Sequence, residues 1–181
     1  KIRMSRFFSC NNSQIGQMDS SFAVMNKGYT LLNVNDCEIN STDCKNYRKD
    51  LGKIDLVLNQ FSLAGYNGEI NYKDHLPGVS QIILDNMIEN HRDLGVKTTI
   101  PFASYVYFCC EDNRYINDFA NTPRTVADRF KNENLNLAVL YPGETFDLES
   151  PKTDNESSLQ LFDKKYATLK DKEYDKGALI P

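Results

Sequence analysis

Short apolar runs alternate along the chain with polar, turn-rich segments, and the spacing of each run names an element. In "SSFAVMNKGYTLLNVND" two apolar runs flank Asn26-Lys27-Gly28, a turn whose Asn and Gly tolerate positive φ, and this predicts a hairpin. "STDCKNYRKDLGK" predicts a short helix with Ser41 or Thr42 at its N-cap and Leu51-Gly52 as its stop. "KIDLVLNQF" is a continuous apolar run of strand length, the pattern of a strand covered on both faces. Residues 62–78, rich in Gly, Asn and charge, read as the longest loop of the domain.

Val79, Ile82, Ile83, Met87 and Leu94 then recur near helical spacing, and Gly95 ends that helix. "VKTTIPFASYVYF" resumes strand character, with Pro101 marking the strand's end because it cannot donate to a ladder. Thr122 and Pro123 form the start chemistry of a further helix, and "LNLAVLYPGETF" reads as another buried strand closing on a Pro-Gly turn. The order hairpin, helix, strand, helix, strand, helix, strand predicts an α/β layered sheet. A core unit over 1–147 is expected, followed over 148–181 by a polar linker and a helical appendage.

Composition narrows the function classes. With 181 residues, 40% hydrophobic and 25% charged, the chain can bury a sizeable core as one domain or as one half of a two-lobed one. A net charge of -4 provides no electrostatic footprint for nucleic acid, and no apolar run approaches the roughly 18–20 residues of a spanning helix. The expectation is a soluble chain without nucleic-acid or membrane partners. Five cysteines, an odd number with no C-x-x-C pair, fit a reducing cytoplasm and buried, inert thiols. The chain opens on Lys1 with neither an initiator Met nor a signal-peptide layout, which is read as a trimmed upstream end.

The candidate chemistry gathers at three strand ends: Asn33, Asn35, Asp36 and Cys37; then Gln60, Phe61 and Ser62 with the Gly65 to Gly68 loop; then Pro101, Phe102, Ala103 and Ser104. Sites in layered α/β sheets form beyond the carboxyl ends of strands, so these clusters are expected to be neighbours. Asp36 has two readings, a carboxylate capping the next helix or a metal ligand. Asn33 and Asn35 are expected to hold loop backbone. His75 is expected to be a solvated loop residue and is the best general-base candidate of the chain, whereas His91 is expected to be structural. Tyr105, Tyr107 and Phe108 read as packing.

The succession "LLNVNDC", "IDLVLNQFSLAGYNG", "TTIPFASYVYFCCEDNRYIN" and "LAVLYPGETF" resembles the second half of a metallo-β-lactamase fold protein. Within that superfamily it is most similar to the branch that holds the lactamase-like part of CMP-N-acetylneuraminate hydroxylases. The resemblance implies half of a four-layer αββα sandwich with a mixed sheet and interleaved helices. It places Asp36 where the family has a metal-ligating aspartate, and so implies a divalent metal (Zn, Fe or Mn) that activates water or oxygen. On that reading Asn35 or Ser62 holds oxygens of a small, sugar- or nucleotide-linked substrate.

Two departures keep a rival reading open. No H-x-H-x-D-H occurs in the chain, and Ala103 stands where the resemblance expects a later histidine. Either a missing N-terminal half supplies histidines, or the chain is a degenerate, non-catalytic binding or assembly module. The half-domain reading implies a homodimer or association with that other half through an apolar sheet face.

Overall fold

The computed structural model describes residues 3–12, 16–63, 70–110 and 113–170. Five strands, β1 (Arg3–Asn12), β2 (Gly16–Asn26), β3 (Tyr29–Asn35), β4 (Leu56–Asn59) and β5 (Thr98–Pro101), form one sheet in the order of the chain. β1, β2 and β3 pair antiparallel, and β3, β4 and β5 pair parallel, so the sheet is mixed. Helices α1 (Ser41–Leu51) and α2 (Leu76–Leu94) make the crossovers between the parallel strands, and α3 (Pro123–Asn132) and α4 (Asn155–Lys170) follow. The fold is α/β, with helices interleaved as the sequence pattern predicts.

Side-chain alternation assigns the two faces. Ala23, Leu32, Val34 and Val57 point to the helices, where they pack with Cys44, Tyr47 and Leu51 of α1 and Leu94 of α2. A second core joins Phe61 to Met87 of α2, Phe130 of α3 and Phe162 of α4, so α4 is packed on the body of the molecule. On the opposite face Leu56, Ile100 and Ala138 are buried among half-buried Leu31, Leu58, Phe146 and Leu148. No helix among the described residues is long and apolar enough to cross a membrane.

Local chemistry accounts for the element boundaries. At the β2–β3 turn Gly28 takes φ of 83°, as expected, but the other positive φ, 48°, falls on Lys27 rather than on Asn26, which is the last residue of β2. The N-cap of α1 is Asn40 rather than Ser41 or Thr42: its side chain accepts from Thr42 N and Asp43 N, and Asp43 accepts from Asn40 N in return. α2 begins three residues earlier than its apolar periodicity, because Pro77 and Gly78 fall in the first turn, where a missing N–H costs nothing. A 3-10 segment, Ile70–His75, leads into it where the sequence reads as loop. Thr122 caps α3 ahead of Pro123, as expected.

The run 135–146 is not a strand. It touches the sheet at one bridge, Leu137 to Thr99. Beyond that bridge the carboxamide of Asn155, at the start of α4, accepts from Val139 N (2.9 Å) and donates to Leu137 O (2.8 Å). A side chain thus takes the backbone groups that a further strand would have paired. β5 ends at Pro101, and residues 102–110 continue without regular structure. The helical appendage expected within 148–181 is described as far as Lys170; the residues after it, like the Gly65 to Gly68 loop, lie outside the described residues.

His91 is buried, with Nδ1 2.9 Å from Thr99 Oγ1 and its ring edge-on to Phe130. Burial, aided by the neighbouring Arg92 guanidinium, pushes its imidazole below the ordinary value of 6.5. The unfolded chain therefore binds the extra proton first, and stability falls as the pH drops below 6.5. Urea unfolding at pH 7.5 and 5.5 is expected to show this loss in the wild type and a smaller one in His91→Gln. An equal loss in both would assign the dependence to other groups.

Candidate functional site at the carboxyl ends of the parallel strands

The pairs Asn35–Asn59 and Asn59–Pro101, the first reached through a bulge after Asn33, run across the ends of β3, β4 and β5, so the three predicted clusters are neighbours. Gln60 N donates to Asn35 O (2.9 Å) and Phe102 N to Asn59 O (2.8 Å), which ties each exit to the next. Between these ends and α2 lies a cleft of about 390 Å³. One stripe of α2 supplies its helical wall, Val79, Ile83, Asn86 and Asn90, at spacings of three and four residues. The stripe passes from apolar to amide along the helix.

Asp36 and Asn35 stand at the mouth. Asn35 has φ of 46°, a left-handed conformation that asparagine adopts more readily than most residues. The turn is braced by Asn33, whose buried carboxamide oxygen accepts from Asn35 N (2.9 Å). Asn35 Nδ2 then donates to Asp36 Oδ1 (2.5 Å), which orients an exposed carboxylate. The cap of α1 is made by Asn40, so Asp36 is not that cap. Asn33 holds loop backbone as expected, whereas the Asn35 side chain goes to the Asp36 carboxylate instead of to backbone.

Ser62 lies on the second strand end and is 1% exposed, yet its Oγ has no hydrogen-bond partner among the described residues. Its carbonyl, in contrast, accepts from Gln60 Nε2 (3.1 Å) and Ser104 Oγ (3.4 Å). Ser62 lines the cleft, and an orphaned buried hydroxyl is a costly arrangement that a ligand can relieve. His75, the proposed base, is exposed in the 3-10 segment and does not line the cleft.

The donor set can be tested against a divalent metal. Among the described residues no three His, Cys, Asp or Glu side chains converge to hold one. The carboxylates lining the cleft are Asp36 and Glu38, and Ala103, exposed with φ of 58° at the end of β5, offers no donor. The described residues alone do not make a metal centre.

The cysteines divide. Cys37 and Cys44 are buried, and burial with the Asp93 carboxylate pushes the Cys44 thiol up to about 12, so it stays protonated and inert. Cys109 and Cys110 are exposed, against the expectation of buried thiols, because the segment after Pro101 leaves the sheet. Of the aromatic block, Tyr105 stacks on Phe162 at 4.8 Å and meets Phe61 edge-on at 5.1 Å. Its hydroxyl donates to Pro101 O (3.0 Å), which anchors the exit of β5. That anchor is legible only from the structure.

No protein-family profile matches the chain, and no curated protein matches it. Among solved structures the chain is similar to CmlA, a diiron beta-hydroxylase from Streptomyces venezuelae, at 11% identity and a TM-score of 0.46, over 77% of this chain and 30% of that one. It is likewise similar to a mutant of the CmlA beta-hydroxylase, at 11% identity and a TM-score of 0.45, over 77% of this chain and 29% of that one. The chain spans less than a third of the length of either.

Proposed function

We propose that this chain is the C-terminal half of a lactamase-like, metal-dependent enzyme of hydroxylase or hydrolase type, with its substrate in the strand-end cleft. The observation that carries this reading is the ladder of three parallel strand ends opening on a cleft with an oriented, exposed carboxylate, Asp36, at its mouth. Asp36 contributes one hard oxygen to a divalent ion, Zn, Fe or Mn, and the remaining ligands come from outside the described residues. Asn35 fixes the carboxylate, and Ser62 holds a substrate oxygen. The half-buried Leu31, Leu58, Phe146 and Leu148 on the far sheet face are covered by the N-terminal half, or by a second copy of the chain.

Elemental analysis of the full-length gene product tests this. Metal is expected in the wild type and depleted in Asp36→Asn. Asn35→Ala, which frees the carboxylate without removing it, is expected to weaken metal affinity by roughly 10–100-fold, the usual effect of losing an outer-shell partner. Equal metal content and affinity in all three proteins would remove Asp36 from the centre.

The alternative, a non-catalytic binding or assembly module, is favoured by one observation. Ala103 occupies the third strand end without any donor atom. On that reading Asp36→Asn alters neither metal content nor activity, and the cleft serves binding alone.

A further inference from the structure

The lining of the strand-end cleft specifies a ligand chemistry. Among the described residues five carboxamides, Asn35, Asn59, Gln60, Asn86 and Asn90, line the cleft together with Ser62, and the charged groups in the same lining are the carboxylates Asp36 and Glu38. A carboxamide both donates and accepts, so it pairs at two points with another amide or with a vicinal diol. Asn35 spends an N–H on Asp36 and Gln60 spends one on Ser62 O, each retaining an oxygen able to accept, and Asn90, whose oxygen accepts from the Cys44 thiol, retains its N–H groups. In the metal-free cleft, phosphate or carboxylate ligands, which are acceptor-only, would face the two like charges of Asp36 and Glu38. Uncharged groups meet neither penalty.

We propose that the cleft binds an uncharged small molecule through amide or hydroxyl groups that both donate and accept, with Ser62 Oγ as one contact, and that without metal it discriminates against anionic forms of the same molecule. The proposal rests on the reading of the cleft as the substrate site and sharpens its substrate class. The apolar part of the α2 stripe, Val79 and Ile83, lies against the carbon skeleton of such a ligand, and the amide part, Asn86 and Asn90, reaches its polar groups.

The test uses the full-length protein, labelled with nitrogen-15 and held in chelator so that binding is read without metal. N-acetylglucosamine, which carries both an amide and hydroxyls, is titrated while side-chain amide resonances are followed; its 6-phosphate is titrated in parallel. Shifts are expected at the Asn35, Asn59, Asn86 and Asn90 side chains, with affinity for the phosphate at least tenfold weaker. N-acetylglycinamide and glucose, titrated separately, show whether the amide or the diol is recognised, and a response to either supports the proposal.

Ser62→Ala and Asn86→Ala are each expected to raise Kd about fivefold, the worth of one neutral hydrogen bond. Asn86 is exposed, so its variant folds normally and reads binding alone. No response to any neutral probe, or a phosphate bound as tightly as its neutral parent, would overturn the proposal. Because the titration is run in chelator, its result is independent of whether Asp36 ligates a metal.

Discussion

Phe61→Ala is expected to lower the unfolding free energy by about 3–5 kcal/mol, the range for a fully buried aromatic. Phe61 is 0% exposed and sits among Met87, Val126, Phe130 and Phe162, which arrive from three different helices. Its ring also takes the edge of Tyr105, and its N–H donates to Ser104 Oγ (3.4 Å). Walls fixed by α2, α3 and α4 cannot all collapse on the cavity, so the cost should be high within that range. Urea unfolding followed by circular dichroism reads it. A loss below about 1 kcal/mol would show that the second core does not hold the end of β4 rigidly. Since Ser62 is the next residue, the same variant should also broaden the cleft resonances.

The second large effect is at the other end of β4. Asp55 is buried, its Oδ2 accepts from Thr30 N (3.0 Å), and its own N–H donates to Thr30 O (2.9 Å), so it couples the start of β4 to β3. Asp55→Ala leaves the Thr30 N–H unpartnered in the sheet and is expected to cost about 2 kcal/mol. The ion pair with Lys53 adds little, because that lysine is exposed. Burial alone would raise the Asp55 carboxyl, but the Lys53 ammonium and the Thr30 N–H override it and hold the group below its ordinary value of 3.8.

The sign follows from that depression. The stabilisation is present above pH 3.8 and is lost as the pH falls through the lower folded value. The difference between wild type and Asp55→Ala should therefore be full at pH 6 and shrink below pH 3.8. A difference independent of pH down to acid unfolding would assign the cost to lost packing.

Most of the fold was legible where local chemistry and burial agree. The Asn26-Lys27-Gly28 turn, the Thr122-Pro123 helix start and the buried runs of β3 and β4 each show the same element by propensity and by pattern. Boundaries were lost where a side chain substitutes for backbone. Asn40 displaced Ser41 as the cap, and Asn155 took the pairs that would have made 135–146 a strand. An apolar run does not record which partner its N–H groups will find.

The candidate site was partly legible for the same reason. Asn35 ends β3, Asp36 follows it and Ser62 lies three residues past the end of β4, so parallel pairing of the two strands brings them together. His75 precedes α2 in a segment whose course no periodicity fixes, and it falls outside the cleft. Asn86 and Asn90 were missed altogether. Their signal is a helical stripe continuing from Val79 and Ile83, visible only by following the helix face past its apolar residues.

The central claim, that Asp36 holds one corner of a metal centre at this strand-end cleft, is tested most directly by anomalous diffraction from crystals of the full-length protein. The account predicts a metal peak about 2.0–2.2 Å from an Asp36 carboxylate oxygen, beside the Asn35 amide and over the cleft that Ser62 lines. A metal held elsewhere, or at the strand ends without Asp36 among its ligands, would contradict it.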